Sequence, residues 1–277
     1  MNETTLTPPD RALYLYCLAR PESLSALQEA RPPGVDERTP LMTLADETGA
    51  VAAVISEVNP AEFSEHNLQD LSWLGPRAQR HEAVVTQVMG SSPVLPVKFG
   101  TLFHSRVSLQ SFMGRHRAAI VLALETLRDK SEWSAKAYLN STVARTSVIA
   151  SDPQIQSRLA TLPESPGARY IQQRQLDALI ETALNAWLTG VTQALHQALI
   201  PHAVGSKPLR CHPGAVTGRP ERMIMNTAFL VRAEALDDFR AELTRQQAAY
   251  TDHGLSLEWQ GPWPPYNFCP ALTEDGT

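Results

Sequence analysis

The sequence predicts an α+β protein in which one order of strands and helices occurs twice. Short β-type apolar runs alternate with amphipathic stretches of helical periodicity along most of the 277 residues. The order strand–helix–strand–strand–helix–strand appears once in each half, which is the ferredoxin-like βαββαβ arrangement. The carboxyl end is too rich in proline for a helix or a central strand. These observations predict a flexible amino terminus (1–12), a ferredoxin-like domain with a connecting helix (13–128), a second, modified ferredoxin-like domain (129–260) and an extended tail (261–277).

In the first half, apolar runs bounded by turn residues predict strands, and apolar spacings of three and four predict helices. Asp-Glu-Thr-Gly at 46–49 predicts a hairpin turn, with glycine where φ is positive. Pro76 and Gly90 suggest the two ends of a helix, since proline favours the first position and glycine the end. The predicted elements are a strand at Leu13–Ala19, a short helix from Pro21, strands at Leu41–Ala45 and Ala50–Ser56, a helix from Pro76 to Gly90 with His81 on its apolar face, a strand-like stretch Val94–Phe103 interrupted by Pro96, and a connecting helix at Ser108–Leu127.

The second half repeats the order. Trp133, Ala135, Ala137 and Leu139 alternate with polar residues, as expected for a half-buried strand. A long helix is predicted over Arg169–Ile200, and its apolar stripe fits either core packing or a partner helix. The other predictions are an insertion containing Pro153, Pro163 and Pro166, a strand at Ala203–Cys211, a loop at Pro213–Pro220, a strand at Met223–Arg232, a helix from Leu236 that ends near Gly254, and a last strand with Leu255, Leu257 and Trp259.

The last strand passes into the tail through the sequence W-Q-G-P-W-P-P-Y-N-F at positions 259–268. Its prolines favour an extended backbone, while Trp259, Trp263, Tyr266 and Phe268 carry large apolar surfaces that water disfavours. One interpretation is a structural clasp that packs on the protein itself. The other is a docking surface for another protein, because aromatic side chains often anchor interfaces.

Composition limits the classes of function. A net charge of −5 without a cluster of lysine and arginine argues against binding to nucleic acid. No apolar run approaches the roughly 18 residues of a transmembrane helix, and the amino terminus does not resemble a signal peptide. The widely spaced cysteines Cys17, Cys211 and Cys269 suit reduced thiols. We expect a cytoplasmic protein that does not act at a membrane.

The candidate sites for a metal or a phosphate are incomplete. Cys211-His212 with His202 nearby supplies too few ligands for zinc, which needs three or four. Gly205-Ser206-Lys207 lacks the earlier glycine of a phosphate-binding loop. We therefore predict no metal, no cofactor and no catalytic residues. His81-Glu82 is either an acid–base pair or switch, or contains a histidine hydrogen-bonded at a domain seam.

Several short stretches lie in a fixed order along the chain. They are L-Y-L-Y-C, D-L-S-W-L with R-H-E, V-L-P-V-K-F-G-T-L-F, E-W-S-A-K, R-Y-I-Q-Q-R, N-T-A-F-L-V and, at the carboxyl end, G-P-W-P-P-Y-N-F. Together they resemble the GvpL/GvpF family of gas vesicle accessory proteins, and the carboxyl-terminal stretch is the most specific of them. The resemblance covers about residues 13–268. The sequence departs from the family pattern at two places. Lys98 stands where the family more often has arginine, and Ser134-Ala135 replace glycine followed by valine, so these positions do not identify a subgroup.

The resemblance implies a non-enzymatic assembly factor or minor structural component of gas vesicles. It implies binding to the hydrophobic shell protein and to other gas vesicle proteins, and a place at the inner, gas-facing surface. Family-like blocks contain Arg80, His81, Glu132 and Lys136, which we interpret as a structural polar cluster. The alternative is a small-molecule-binding or hydrolytic enzyme on a ferredoxin-like scaffold, because this scaffold hosts many functions.

Overall fold

The computed structural model describes residues 11–30 and 32–272, and the chain forms two compact units. The first unit runs to Ser131 and includes the chain from Trp263 onward, and the second unit is Glu132–Pro262. Almost all of the predicted flexible amino terminus (1–12), and the last residues of the predicted tail (273–277), lie outside the described residues.

The first unit contains five strands and the helices that pack on them in the described part of the chain. The order is β1 (Ala12–Ala19), α1 (Ser25–Ala30), β2 (Met42–Ala45), β3 (Ala52–Val58), α2 (Glu65–Gln69), α3 (Leu71–Met89), β4 (Val94–Pro96), β5 (Leu102–Phe103) and α4 (Arg106–Thr126). The sheet order is β2-β3-β1-β4, and β5 also pairs with β1. Every one of these pairs is antiparallel. The predicted hairpin between β2 and β3 is confirmed, and Gly49 in its turn has a positive φ of 69°.

The strand-like stretch Val94–Phe103 is divided into two short strands. Both β4 and β5 pair with β1, and residues 97–101 form a loop between them. The loop keeps its hydrogen bonds to β1, because Val97 N–H donates to the Tyr16 carbonyl at 3.1 Å and Leu15 N–H donates to the Thr101 carbonyl at 3.0 Å. The backbone of the 97–101 loop is therefore hydrogen-bonded to the sheet, but its side chains do not alternate between the two faces as they would in a strand.

The predicted start of the first long helix was wrong. Helix α3 begins at Leu71, and Pro76 lies inside it rather than at its first position. The Asp70 side chain caps the helix by accepting a hydrogen bond from Ser72 N–H at 2.9 Å. An aspartate cap sets the start of a helix more directly than a proline that is tolerated near the amino end. The predicted end at Gly90 is confirmed, and His81 lies on the buried face of α3.

The second unit contains one long helix, α7, whose apolar face packs on the core. Its elements are β6 (Lys130–Leu139), α5 (Ser141–Ser151), α6 (Pro153–Ala160), α7 (Pro166–Leu199), β7 (Gly205–Pro208), α8 (Gly214–Thr217), β8 (Arg222–Arg232), α9 (Leu236–Tyr250) and β9 (Leu255–Trp263). The sheet order is β7-β8-β6-β9. The apolar stripe of α7 packs into the core of this unit, together with Trp133, Ala135 and Phe229. Core packing therefore accounts for the stripe. The predicted alternation in β6 is confirmed from Trp133 to Ala137, but Tyr138, which was expected on the polar side, is buried.

The second half differs from the prediction at three places. The insertion after β6 contains helices α5 and α6, which Asn140 and Asp152 cap through their side chains. The predicted loop at Pro213–Pro220 contains the short helix α8. Strand β9 continues through Pro262 to Trp263, where we expected the tail to begin. Proline is tolerated there because β9 is an edge strand of the sheet.

Within the described part of the chain, each helix is too short or too polar to cross a membrane. The three cysteines all lie in that part and are free thiols.

Candidate functional site

The first unit has a buried cluster of aromatic rings around His81. Tyr14 and Tyr16 from β1 contact the imidazole, with ring centroids 5.7 and 5.6 Å away, and Phe99 lies 5.9 Å away. Phe63 extends the cluster with a centroid 5.4 Å from Tyr14. The helical periodicity of α3 and the alternation of β1 bring these side chains together on one side of the sheet.

His81 is held as a neutral side chain. Tyr14 accepts a hydrogen bond from Gly100 N–H at 3.3 Å, so we assign its hydroxyl as the donor to His81 Nδ1 at 2.8 Å. Burial lowers the pKa of His81 to about 4, and the backbone of Val97 only partly offsets this. Nε2 has no hydrogen-bond partner among the described residues. At neutral pH the side chain therefore carries no charge.

Tyr16 anchors the connection between α1 and β2. Its hydroxyl accepts a hydrogen bond from Val35 N–H at 2.6 Å and shares another with Ser56 Oγ at 2.9 Å. Arg80 supports the same connection, because it donates to the Val35 carbonyl at 3.2 Å and forms an ion pair with Glu37. The predicted site residues Arg80 and His81 thus hold elements of the first unit together through hydrogen bonds.

His81 and Glu82 have different partners. His81 points into the aromatic cluster, whereas Glu82 accepts a hydrogen bond at 3.0 Å from the hydroxyl of Tyr266 in the carboxyl-terminal segment. Burial first, and then the negative charge of Glu82, raise the pKa of Tyr266 well above its ordinary value. The two neighbours on α3 are therefore not an acid–base pair.

The carboxyl-terminal segment, residues 263–272, belongs to the first unit. Its buried residues include Pro264 and Pro265, whereas Trp263 and Tyr266 are 41% and 37% exposed. Phe268 is half-buried and lies in a short 3₁₀ turn. The segment therefore packs partly through its prolines, and it leaves aromatic surface accessible.

The other predicted site residues lie in the second unit. Trp259 packs against the core of that unit, and Lys136 is half-buried on β6. Glu132 is buried. Gly261 lies against Trp133, because a Cβ at position 261 would come within 2.6 Å of the indole ring. That Arg80, His81, Glu132 and Lys136 form one polar cluster stays a prediction.

A cavity of about 630 Å³ lies in the first unit. Side chains from β1, β4, β5 and α4 form one part of its wall, and the 97–101 loop and the carboxyl-terminal segment form the rest. The wall is mainly apolar, and Lys98 is the charged residue among those that line it. No pattern in the sequence indicated this cavity, because its walls come from distant parts of the chain.

The residues considered for a metal or a phosphate lie in the second unit and do not form such a site. Cys211 is exposed, and no group of three or more His, Cys, Asp or Glu side chains is placed to hold a metal ion within the described residues. Gly205, Ser206 and Lys207 lie in edge strand β7, and Ser206 Oγ is 3.1 Å from His196 Nε2. The phosphate-binding interpretation therefore lacks its loop-and-helix context.

A serine–histidine pair in the second unit had no signal in the sequence. Ser147 Oγ lies 2.6 Å from His253 Nδ1, although 106 positions separate the residues. A hydrolytic serine also needs an acid that orients the histidine and donors for an oxyanion. No carboxylate hydrogen-bonds the imidazole of His253 in the part of the chain that the structure describes. The pair connects α5 to the residues after α9.

Comparison with known proteins agrees with this fold. A family model described as gas vesicle synthesis protein GvpL/GvpF matches residues 12–270. Gas vesicle protein L of Streptomyces sp. (strain CB03234) is 25% identical over 270 residues, which are 96% of each chain. Gas vesicle protein F of the same strain is 26% identical over 255 residues, covering 92% of this chain and 98% of that relative.

A solved structure shows the same mixed fold of helices and sheets. The crystal structure of the gas vesicle protein GvpF from Anabaena sp. PCC7120 superposes with a TM-score of 0.70 at 19% identity. The match covers 94% of this chain and 98% of the other. Because the family model spans almost the whole chain, the protein belongs to the GvpL/GvpF family of gas vesicle synthesis proteins.

Proposed function

We propose that this protein is a non-enzymatic assembly factor and minor structural component of gas vesicles. In this proposal it binds the hydrophobic shell protein and other gas vesicle proteins while vesicles form. The observation that carries the proposal is the family match over residues 12–270. The protein would act in the cytoplasm and remain at the inner, gas-facing surface of the vesicle.

Physical chemistry supplies a reason for such a factor. A shell protein that keeps one face dry exposes apolar surface before assembly, and such surface aggregates unless another protein covers it. The exposed aromatic surfaces of Trp263 and Tyr266 suit this role, since aromatic side chains anchor many protein interfaces. Both side chains sit on a segment whose prolines Pro264 and Pro265 are buried, so binding would order little additional chain.

We also propose that each unit is a ferredoxin-like domain, with boundaries near 13–128 and 129–260, and that a tail follows strand β9. The support is the strand order, since β4-β1-β3-β2 and β9-β6-β8-β7 both correspond to the order 4-1-3-2 of the βαββαβ motif. Within this proposal, Arg80, His81, Glu132 and Lys136 have structural roles.

The experiment compares exposed aromatic side chains inside and outside the carboxyl-terminal segment. In a host that forms vesicles, the double variant W263A/Y266A replaces the natural protein, and Tyr170→Ala, which removes an exposed aromatic from α7, is the control. We expect the double variant to lose most co-purification of the shell protein and most vesicles, while the control keeps both. Thermal melting of each purified variant separates loss of binding from loss of folding.

Two results would contradict the proposal. If the folded double variant retained the shell protein and formed normal numbers of vesicles, the aromatic surface would not be the contact. If deletion of the whole protein left vesicle formation unchanged, a role in assembly would be excluded.

A further inference from the structure

We propose that the cavity of the first unit binds a small amphipathic anion, an unbranched alkyl chain that ends in a carboxylate. Its volume of about 630 Å³ lies within the range of roughly 300–1,000 Å³ that is usual for small-molecule sites. Leu15, Leu95, Phe103 and Phe112 are buried side chains of its wall. This inference is independent of the proposed function in gas vesicle assembly.

Among the polar side chains of the wall, one has no hydrogen-bond partner in the described part of the chain and is available to bind a ligand. The Thr101 hydroxyl donates to the Lys98 carbonyl at 2.7 Å, and the Tyr266 hydroxyl donates to Glu82 at 3.0 Å. Cys269 Sγ donates to the Pro265 carbonyl at 3.0 Å. The ammonium group of Lys98 has no hydrogen bond or ion pair within the described residues, and no carboxylate lines the cavity there. The available recognition group is therefore a cation.

The distribution of polarity fits an amphipathic ligand. Lys98 is exposed, whereas Val97, Leu102 and Leu272 are half-buried apolar residues of the wall, so the charge lies nearer to solvent than the apolar surface does. An alkyl chain would occupy the apolar part, and its carboxylate would meet Lys98. A peptide fits less well, because its backbone N–H and C=O groups would need partners in a wall whose other polar side chains are already hydrogen-bonded.

A series of ligands tests the apolar part of the site. Octanoate, nonanoate and decanoate are titrated into the full chain by calorimetry, below the concentrations at which they form micelles. We expect each added methylene to tighten binding about fourfold until the cavity is full. Decanol should bind up to about fivefold more weakly than decanoate at low salt, as expected for the loss of one exposed ion pair, and salt should reduce this difference.

Variants test the position of the ligand. Lys98→Met should abolish the preference for decanoate over decanol, and Lys130→Met, which removes a lysine that does not line the cavity, should keep it. Ala271→Trp places a large side chain at an exposed position of the wall, so it should fold and should weaken decanoate binding at least tenfold. Melting curves confirm that each variant is folded.

The outcomes separate the proposal from its alternatives. Fourfold steps with chain length, lost in Ala271→Trp and retained in Lys130→Met, would support it. No binding by the full chain, affinities that do not depend on chain length, or an unchanged preference in Lys98→Met would overturn it. A chain ending at Leu272 that binds decanoate tenfold more tightly than the full chain would also overturn it, because the last residues of the chain would then be the occupant.

Discussion

The two units share a strand order but differ in how their cores are held together. In the first unit, four polar side chains lie in the middle of the core, and hydrogen bonds join Tyr14 to His81 and Tyr16 to Ser56. In the second unit, the core is formed mainly by the aliphatic stripe of α7 packed on the sheet. One topology is thus compatible with a core that depends on hydrogen bonds and with a core that depends on filled volume.

The difference should appear when each core is perturbed in its own way. Buried hydrogen bonds are sensitive to protonation and to loss of a single partner, whereas aliphatic packing is sensitive to lost volume. The four predictions below test this difference, and they run from the largest expected effect to the smallest.

Leu195→Ala removes a fully buried side chain from α7 in the second unit. We expect the free energy of unfolding to fall by about 3 kcal/mol, because the substitution loses apolar burial and leaves a cavity. Denaturant titration measures the change, and Ile171→Ala, at an exposed position of the same helix, is the control. A change below about 1 kcal/mol would show that the core of the second unit tolerates lost volume. The two cores would then not differ in the way described above.

Acid should destabilise the first unit through His81. Its pKa is 6.5 in an unfolded chain and about 4 when folded, so the folded state favours the neutral form. The stabilisation is therefore complete above pH 6.5 and is lost as the pH falls toward 4, with a total loss of about 3 kcal/mol or less. Denaturant titrations at several pH values from 7 to 4 measure it.

His81→Gln is the matched variant for this pH effect, because glutamine stays neutral and offers an acceptor to Tyr14. We expect lower stability at pH 7 but a flatter dependence between pH 6.5 and 4. Asp46 contributes to acid sensitivity at a lower pH than His81 does. Burial opposes its ionisation, but hydrogen bonds from Thr48, Val51 and Arg117 outweigh this and lower its pKa to about 2. Equal pH dependence of His81→Gln and wild type would assign the acid sensitivity to another group.

Tyr16→Phe removes one hydroxyl from the first core. It leaves Val35 N–H and the Ser56 hydroxyl without their partner, so we expect the free energy of unfolding to fall by about 2 kcal/mol. Tyr170→Phe, which removes an exposed hydroxyl, should change it by less than about 0.5 kcal/mol. Identical denaturation curves for both variants would show that the network does not stabilise the first unit.

Tyr266→Phe should have the smallest effect. The hydroxyl donates to Glu82, but the side chain is more than a third exposed, so we expect a loss of only about 0.5 kcal/mol. Hydrogen exchange of residues 263–272 should increase while the rest of the first unit stays protected. Unchanged exchange in the segment would show that other contacts, such as those of Pro264 and Pro265, hold it.

Local patterns in the sequence predicted the elements of the fold that depend on local interactions. The alternation in β6, the turn at Gly49 and the apolar faces of α4, α7 and α9 all follow from periodicity or from glycine conformation. Periodicity did not predict α5 and α6, because the prolines of this stretch indicated an insertion without helices. The side chains of Asn140 and Asp152 cap these helices and define where they begin. The sequence patterns also placed the start of α3 at Pro76, since a proline near the amino end of a helix resembles a first position.

The sequence by itself determined the family of this protein, the order of its main strands and long helices, and the presence of an aromatic, proline-rich end. Only the tertiary structure decided what His81 and Tyr266 contact. His81 meets Tyr14 across 67 positions, and Tyr266 meets Glu82 across 184. Such partners are chosen by how sheets and helices pack, and a one-dimensional pattern carries no distances between remote segments. The buried neutral histidine and the cavity beside Lys98 are therefore properties of the packed structure.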